Sequence, residues 1–440
     1  PTWCMMAVSS DSTTRTEEET MRAIVLGLEH PRGVASIRSL GRAGISVVGV
    51  DHLPNVLGFR SRYLTERFCV GPEDKDVLGL LETLGRHGGG VLMPTNDRYL
   101  RLVASHFERL AGDFILTTPP SDVLDRLMDT PRCYGIAQAI GLKTPRFFAP
   151  GSARDLTAVL AELDVDRHRY ILKTMPGTGP ADAQTGRFTK VAGATRDAIE
   201  ATCLEIFSRL GQFPVILEVV PGEADRCIGV NMVVDVNHEP VAWFCVRRLK
   251  LFTYSRGGDF VHPYELGANV YCESVHDDEA VEATKRLVKE ARYYGPITLE
   301  FRRDPRDGRL TVIKADPRFV RATSLSTALG LDLPVAVYRA FTNGRVKTRS
   351  AYRDGVAWIW GTRYLDTLWQ NRTDRPVRRE LLSLLRKAHR IKAFAYLSVR
   401  DPLPGVIELK RWARKQAMGA ARRVLRPLRP LSRTAAGQRS

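Results

Sequence analysis

The chain has 440 residues, 44% hydrophobic and 26% charged, with a net charge of +17; that length exceeds one hydrophobic core and predicts two or three domains. The composition is that of a globular protein, and no run of about 18 apolar residues reads as a membrane-spanning helix. Ten lysines and arginines and no acid fall between Lys410 and Ser440, which leaves the rest of the chain at only +7. The body is therefore mildly basic and the tail strongly so.

Pro1 to Thr20 is polar, and acidic towards its end. It lacks the basic start and apolar centre of a signal peptide and is expected to be a disordered leader. The seven cysteines, Cys4, Cys69, Cys133, Cys203, Cys227, Cys245 and Cys272, never fall within three residues of one another. That spacing argues against a zinc site and offers no disulfide framework. A reducing cytoplasm is the expected compartment.

Ala23 to Gly27 is a short apolar run ending in glycine, predicted as a buried parallel strand. A helix follows from about Pro31 and stops at Gly44. Ile45 to Asp51 is a second strand ending in an acid, and Gly90 to Pro94 a third, running into Thr95-Asn96-Asp97. Strand, helix and strand with short links predict a small doubly wound α/β domain over residues 21–115. The turn Gly27-Leu28-Glu29-His30-Pro31-Arg32-Gly33 does not match the dinucleotide-binding glycine pattern, and Glu29 would repel a pyrophosphate. It is expected to be a structural turn or a substrate-lining loop.

A second domain is predicted over residues 116–345. Helical stripes run through Val123 to Met128 and Gly135 to Ile140, and Tyr170 to Lys173 is a strand with a lysine at its end. The stretch from Thr174 to Gly186 is rich in Gly, Pro and Thr and predicts a loop. Val215 to Val220 is a strand halted by Pro221-Gly222, and Cys227 to Val236 pairs with Val241 to Arg247. Ala280 to Tyr293 is a helix, and Ile297 to Arg302 and Leu310 to Asp316 form a hairpin around Asp304 to Gly308. Residues 346–440 are expected to be a helical, basic extension. Val406, Leu409, Trp412, Ala413, Ala417 and Ala420 lie near helical spacing opposite Lys410, Arg411, Arg414 and Lys415. Such a helix can rest on an anionic membrane surface, bind nucleic acid, or pack on the body with the residues from Arg422 onward disordered. Trp412 is the one aromatic residue within the basic run, which lacks the repeated interleaving of a single-strand binder, so specific nucleic-acid binding is not expected.

Four elements in a fixed order carry possible chemistry. Lys173 stands before a glycine-bearing loop, where a cation and backbone N–H groups can hold phosphates. The segment Glu218-Val219-Val220-Pro221-Gly222 can offer backbone groups to an adenine edge, with an acid soon after for ribose hydroxyls. Arg247-Arg248-Leu249-Lys250 is a basic cluster suited to a terminal phosphate. The hairpin places Glu300 beside Lys314, Asp316 and Arg318, and carboxylates on adjacent strands can share Mg²⁺. Plainer readings stand beside each. Lys173, Arg248 and Lys250 can be solvated strand residues, and Glu300 can form a structural salt bridge with Arg302 or Lys314. Asp182, Gln184, Arg187 and His262 are loop residues for which exposure alone is a sufficient account.

These elements together resemble the ATP-grasp superfamily, and its stand-alone carboxylate–amine ligases in particular, the group that includes D-aspartate ligase. The resemblance rests on Ile37-Arg38-Ser39-Leu40-Gly41-Arg42-Ala43-Gly44, Ser61-Arg62-Tyr63, Pro94-Thr95-Asn96-Asp97 and Asp316-Pro317-Arg318. Ala328-Leu329-Gly330-Leu331-Asp332-Leu333-Pro334 and Arg400-Asp401-Pro402-Leu403-Pro404 extend it over residues 21–405. It implies an ATP-grasp fold preceded by the small α/β domain, with ATP and Mg²⁺ as cofactors. It also implies that an acyl phosphate forms and that an amine attacks it, releasing ADP and phosphate, with a small-molecule carboxylate and amine as partners. A homodimer and peripheral membrane contact are compatible with it. On this chain Lys173 would hold phosphate, Glu218 and Val220 would border adenine, and Glu223 or Asp225 would bind ribose. Arg248 or Lys250 would hold the γ-phosphate and acyl phosphate, Glu300 and Asp316 the metal, and Arg318 the acyl phosphate or carboxylate substrate.

Two positions depart from the family pattern. Thr130 follows Asp129 where the family carries a lysine, and Lys314-Ala315-Asp316 replaces Glu-x-Asn before Pro-Arg. A lysine in place of a metal-bridging carboxylate removes a ligand and repels Mg²⁺ by a few kcal/mol at about 4 Å and intermediate dielectric. Three outcomes are compatible with this: Lys314 acts as the cation on phosphate, Mg²⁺ sits on Glu300 and Asp316 alone, or catalysis is lost and the chain is a binding or scaffold protein. Specificity is expected in the N-terminal loops and around Arg256 to His262.

Overall fold

The computed structural model describes residues 21–174, 189–191, 195–252, 268–343, 348–370 and 377–425. The N-terminal unit comprises β1 (Ala23–Leu26), α1 (Pro31–Arg42), β2 (Val47–Asp51), β3 (Glu66–Cys69), α2 (Asp74–Arg86), β4 (Gly90–Pro94), α3 (Asp97–Ser105), α4 (Phe107–Ala111) and β5 (Phe114–Leu116). Its five strands are parallel in the order β3-β2-β1-β4-β5. β1, β2, β4 and β5 are largely apolar and buried because both faces are covered, whereas the edge strand β3 is charged and exposed. Ala23 and Val25 point into the core shared with α1, while Ile24 and Leu26 point into the one shared with α2 and α3. At the carboxyl edge, Asp51 is buried and accepts the Leu28 N–H at 2.6 Å and the Leu53 N–H at 3.0 Å. Gly27 begins this turn at φ +90, and a Cβ there would stand 2.7 Å from Asn96 Nδ2. Only glycine makes this turn at low cost.

The middle of the chain forms α5 (Ser121–Met128), α6 (Thr130–Ala139), β6 (Phe147–Phe148), α7 (Ala153–Glu162), β7 (Tyr170–Lys173), β8 (Thr189–Val191), α8 (Arg196–Leu210) and β9 (Val215–Glu218). The strands make a small antiparallel sheet, β6-β9-β7-β8. Leu156 and Leu160 of α7 and Ile199 and Cys203 of α8 pack with Leu172 and Ile216 beneath it. The loop predicted after Thr174 and the segment Arg256 to His262 lie outside the described residues, as do Asp182, Gln184 and Arg187, the leader and the end of the tail.

The remaining elements are β10 (Cys227–Val234), β11 (Pro240–Phe252), β12 (Ala268–Val275), α9 (Asp278–Glu290), β13 (Gly295–Arg303), β14 (Leu310–Asp316), α10 (Ser324–Ala328) and α11 (Leu333–Thr342). They are followed by β15 (Ala357–Ile359), α12 (Gly361–Gln370), α13 (Val377–Lys387), β16 (Ile391–Phe394) and α14 (Leu403–Leu425). A seven-stranded sheet runs β14-β13-β10-β11-β12-β15-β16. The extension expected to be helical thus also supplies two strands, each too short to show a period in sequence. Helix α14 lies on the body: Trp412 Nε1 donates to Asp366 Oδ1 at 2.8 Å and Trp360 Nε1 to Glu408 Oε1 at 3.1 Å. Among the described residues no helix is long and apolar enough to cross a membrane.

Three motifs far apart in sequence meet at one buried carboxylate. Asp401 Oδ2 accepts from Arg38 Nε and from Ser61 Oγ, each at 2.8 Å, and Oδ1 accepts the Arg62 N–H at 3.0 Å. Arg38 also donates to the carbonyls of Tyr396 and Asp401, each at 2.7 Å. The pair is fully satisfied, which a buried charge requires.

The turn between β13 and β14 is held by a second buried acid. Asp304 accepts from Lys143 Nζ at 2.8 Å and from Arg306 Nη2 at 2.7 Å and its backbone N–H at 3.0 Å. The Arg306 hydrogen bonds, with help from Lys143, hold its carboxyl far below the ordinary value of 3.8. The unfolded chain therefore binds the extra proton in acid, so this stabilisation is present above the ordinary value and is lost as pH falls through the depressed one. Asp304→Asn is expected to cost about 3 kcal/mol at neutral pH. Urea denaturation should show the gap from the parent chain narrowing at acid pH.

Candidate active site

Across β13 and β14, one face of the seven-stranded sheet is apolar and the other carries charge. Leu299, Phe301, Val312 and Ala315 enter the core with Ile228 and Val230. Alternation sends Glu300 to the opposite face, and a bulge in β14 after Val312 brings Lys314, and with it Asp316, to the same side. Glu300 stands directly across from Lys314 on one side and Gly229 on the other, and Asp316 across from Thr298. Gly229 has no side chain, which leaves the face open for Arg248 of β11 to reach across β10 to Glu300.

The result is a continuous row of alternating charge. Arg248 donates to Glu300; Lys314 Nζ lies 3.7 Å from Glu300 Oε1 and 2.9 Å from Asp316 Oδ2. Arg318 Nη2 lies 3.2 Å from Asp316 Oδ1, and its Nε donates to Asp97 at the start of α3. Glu300 and Asp316 are buried. Burial alone would lower the Arg248 guanidinium, but Glu300 holds it above its ordinary value. Burial is offset in the same way at Arg318 by Asp97 and then Asp316. The plain reading of Glu300 as an ion-pair partner is met by Lys314 and Arg248. Arg302 instead donates to the Val220 carbonyl at 2.7 Å and to Cys227 Sγ at 3.1 Å.

Lys173, at the end of β7, is buried and donates to Thr130 Oγ1 at 2.5 Å. Thr130 opens α6, and Tyr134 of that helix donates to the Ile313 carbonyl of β14 at 2.6 Å. The lysine thereby contacts the start of the helix that packs on β14, the strand that carries Lys314. Thr130 occupies the first turn of α6, where backbone N–H groups and the helix dipole favour negative charge.

The segment after β9 is held from within. The N–H groups of Glu218 and Val219 donate to the Arg146 and Arg169 carbonyls at 2.9 and 2.8 Å. The Glu218 carboxylate is buried against Arg306 Nη1 at 2.5 Å and His168 Nδ1 at 3.3 Å, so its side chain faces the hairpin turn. Among the described residues nothing accepts from the Val220 N–H. Glu223 and Asp225 are exposed in the turn that follows. Lys250 does not join the charged row. Bulges between Arg248 and Leu251 break the alternation, and its Nζ lies 2.8 Å from Glu380 Oε2 and 5.5 Å from the Tyr364 ring centre.

Sequence reasoning missed Arg306 as the partner of Glu218 and Asp97 as the partner of Arg318. Asp97 had a usable signal, since it follows the carboxyl end of a parallel strand, where such folds place ligands. Arg306 had none, because its partner lies 88 residues away.

The row predicts an order of stability. Glu300→Gln removes the one carboxylate that serves both Arg248 and Lys314 and should cost about 3 kcal/mol. Lys314→Met leaves Glu300 with Arg248 and Asp316 with Arg318, and should cost less than half as much. Urea denaturation of both variants would reveal a reversed order if the row were not a buried unit.

Among solved structures, the chain is similar to the biotin carboxylase domain of Hydrogenobacter thermophilus 2-oxoglutarate carboxylase, determined with MgADP, ADP and bicarbonate. Identity there is 13% and the TM-score 0.57, over 77% of this chain and 74% of that one. It is similar to N5-carboxyaminoimidazole ribonucleotide synthetase from Thermus thermophilus, at 18% identity and TM-score 0.55 over 76% and 81%. Rhizobium etli pyruvate carboxylase matches 74% of this chain at 14% identity and TM-score 0.53, and the chain spans 28% of that protein's length. No family model matches the chain, and no curated protein matches it in sequence. At these identities the likeness is one of fold: the chain has the ATP-grasp architecture that its ordered motifs predict.

Proposed function

We propose that the chain is an ATP-dependent carboxylate–amine ligase, of the group that includes D-aspartate ligase, working through an acyl phosphate. The observation that carries this reading is the charged row Arg248–Glu300–Lys314–Asp316–Arg318, set on an ATP-grasp scaffold with Lys173 and Thr130 close to its strands. In this reading Lys173 holds a nucleotide phosphate beside the start of α6. The Val220 N–H meets the adenine edge, and Glu223 or Asp225 the ribose. Arg248 and Lys314 balance the charge that develops on the transferred phosphoryl group. Arg318 holds the carboxylate as it becomes an acyl phosphate, and the amine then displaces phosphate to form the amide. Lys250 is engaged by Glu380, which places its share of this role on Arg248.

A magnesium ion bridging Glu300 and Asp316 does not fit the residues as arranged. The Lys314 ammonium stands between the two carboxylates, Arg248 shares Glu300 Oε1 with it, and Arg318 takes the other Asp316 oxygen. No group of three His, Cys, Asp or Glu among the described residues is placed to hold a metal. In this reading Lys314 is the resident cation, and no step runs through a metal at this position.

The same arrangement favours a second reading, a non-catalytic binding or scaffold protein, because every charged group of the row is already satisfied internally. Calorimetry and a coupled ADP assay separate the two. The ligase reading expects ATP binding with little dependence on Mg²⁺, and ADP and phosphate release only when a carboxylate and an amine are both present. Lys314→Glu restores the carboxylate of the family pattern and should make ATP binding depend on Mg²⁺ by about tenfold or more, equivalent to 1.4 kcal/mol. Absence of ADP release across a broad amino-acid and amine library would instead support the second reading.

A further inference from the structure

Two arginines beside the charged row have no ion-pair partner among the described residues. Arg32, in the first turn of α1, is 4% exposed, and its Nε is buried without a hydrogen bond. Arg321, in a short 3-10 turn (Arg321–Thr323) just after Arg318, also has a buried Nε with none. Neither guanidinium has an ion pair among the described residues. Helix α1 packs on the turn that carries Arg321, so the two side chains belong to one place where the parallel sheet meets the seven-stranded one.

The carboxylates nearby are committed elsewhere. Asp97 and Asp316 pair with Arg318, and Asp316 also with Lys314. Glu29 hydrogen-bonds His30 at 3.0 Å and acts on Arg32 only through space, without an ion pair. Burial, then the neighbouring Arg318 and Arg321, pushes the Arg32 guanidinium well below its ordinary value, against the pull of Asp97 and Asp316. Leaving a buried guanidinium without a counter-charge costs several kcal/mol. Helix α1 adds to the positive potential, since no side chain caps its N-terminus.

We propose that Arg32 and Arg321 bind a second anionic group of the carboxylate substrate, so that the substrate is a dianion: a dicarboxylate, or a carboxylate bearing a phosphate ester. This rests on the ligase reading for the first carboxylate, which Arg318 holds. Arg32 and Arg321 then determine specificity: a monoanionic acid leaves both guanidiniums unpaired, and the site rejects it for that reason.

The test uses the full chain without nucleotide, titrated calorimetrically with succinate, glutarate, phosphoglycolate and, as the monoanion control, acetate. At least one dianion should bind about tenfold or more tighter than acetate. Whether the dicarboxylates or phosphoglycolate lead identifies the second group. Arg32→Met and Arg321→Met should each remove most of that preference. Without any anion, Arg32→Met should leave the melting temperature unchanged or raise it, because it deletes an unpaired buried charge, and the stabilisation by dianion should vanish. The proposal is overturned if no dianion outperforms acetate, or if both variants keep the preference. A fall in the anion-free melting temperature of Arg32→Met would mark Arg32 as structural, with the same result. No ATP is present, so failure of the ADP assay leaves these titrations standing, and loss of dianion preference leaves the ADP assay standing.

Discussion

The row of alternating charges from Arg248 to Asp97 constrains everything around it. Glu300 and Asp316 lie in a region from which water is largely removed, and an isolated carboxylate there would cost several kcal/mol. Each is held by two cations drawn from different strands or loops. The row therefore fixes the spacing of β11, β13 and β14. Through Arg318 and Asp97 it also ties this sheet to the start of α3 in the parallel unit. The pairing of the row is complete without any ligand.

A second tie closes the molecule from the other end. Asp401 gathers Arg38, Ser61 and the Arg62 N–H, so the final helix and the first βαβ unit share one buried carboxylate. With β15 and β16 completing the seven-stranded sheet, the C-terminal region is part of the framework and does more than trail from it. Lys250 shows the consequence, since Glu380 of α13 draws it away from the phosphate role that its sequence position suggests. The two unpaired arginines stand out against this background of satisfied charge.

The strands were legible in the sequence because burial on both faces leaves an apolar run, and burial on one leaves an alternation. Ala23 to Leu26 shows the first pattern; Leu299, Glu300 and Phe301 alternate although both faces are buried, because ion pairs line one face and apolar contacts the other. The motifs of the family resemblance were legible too, although Arg38, Ser61 and Asp401 disclose their common purpose only once they touch. Strands of three or four residues such as β15 and β16 carry too few side chains to show a period. Bulges such as those between Arg248 and Leu251 arise from pairing with a neighbour and leave no local mark.

What the sequence by itself determined is the order of elements, the fold that this order implies, and the identities of the charged residues, Lys314 and Thr130 among them. Which charge faces which was decided only in three dimensions. Whether Lys314 neutralises carboxylates or repels a metal depends on distances between strands that are contiguous in space but not in sequence. Whether Arg32 is paired or bare depends on a turn nearly three hundred residues away, because electrostatic energy is set by separation and burial, and neither quantity is written in a linear chain.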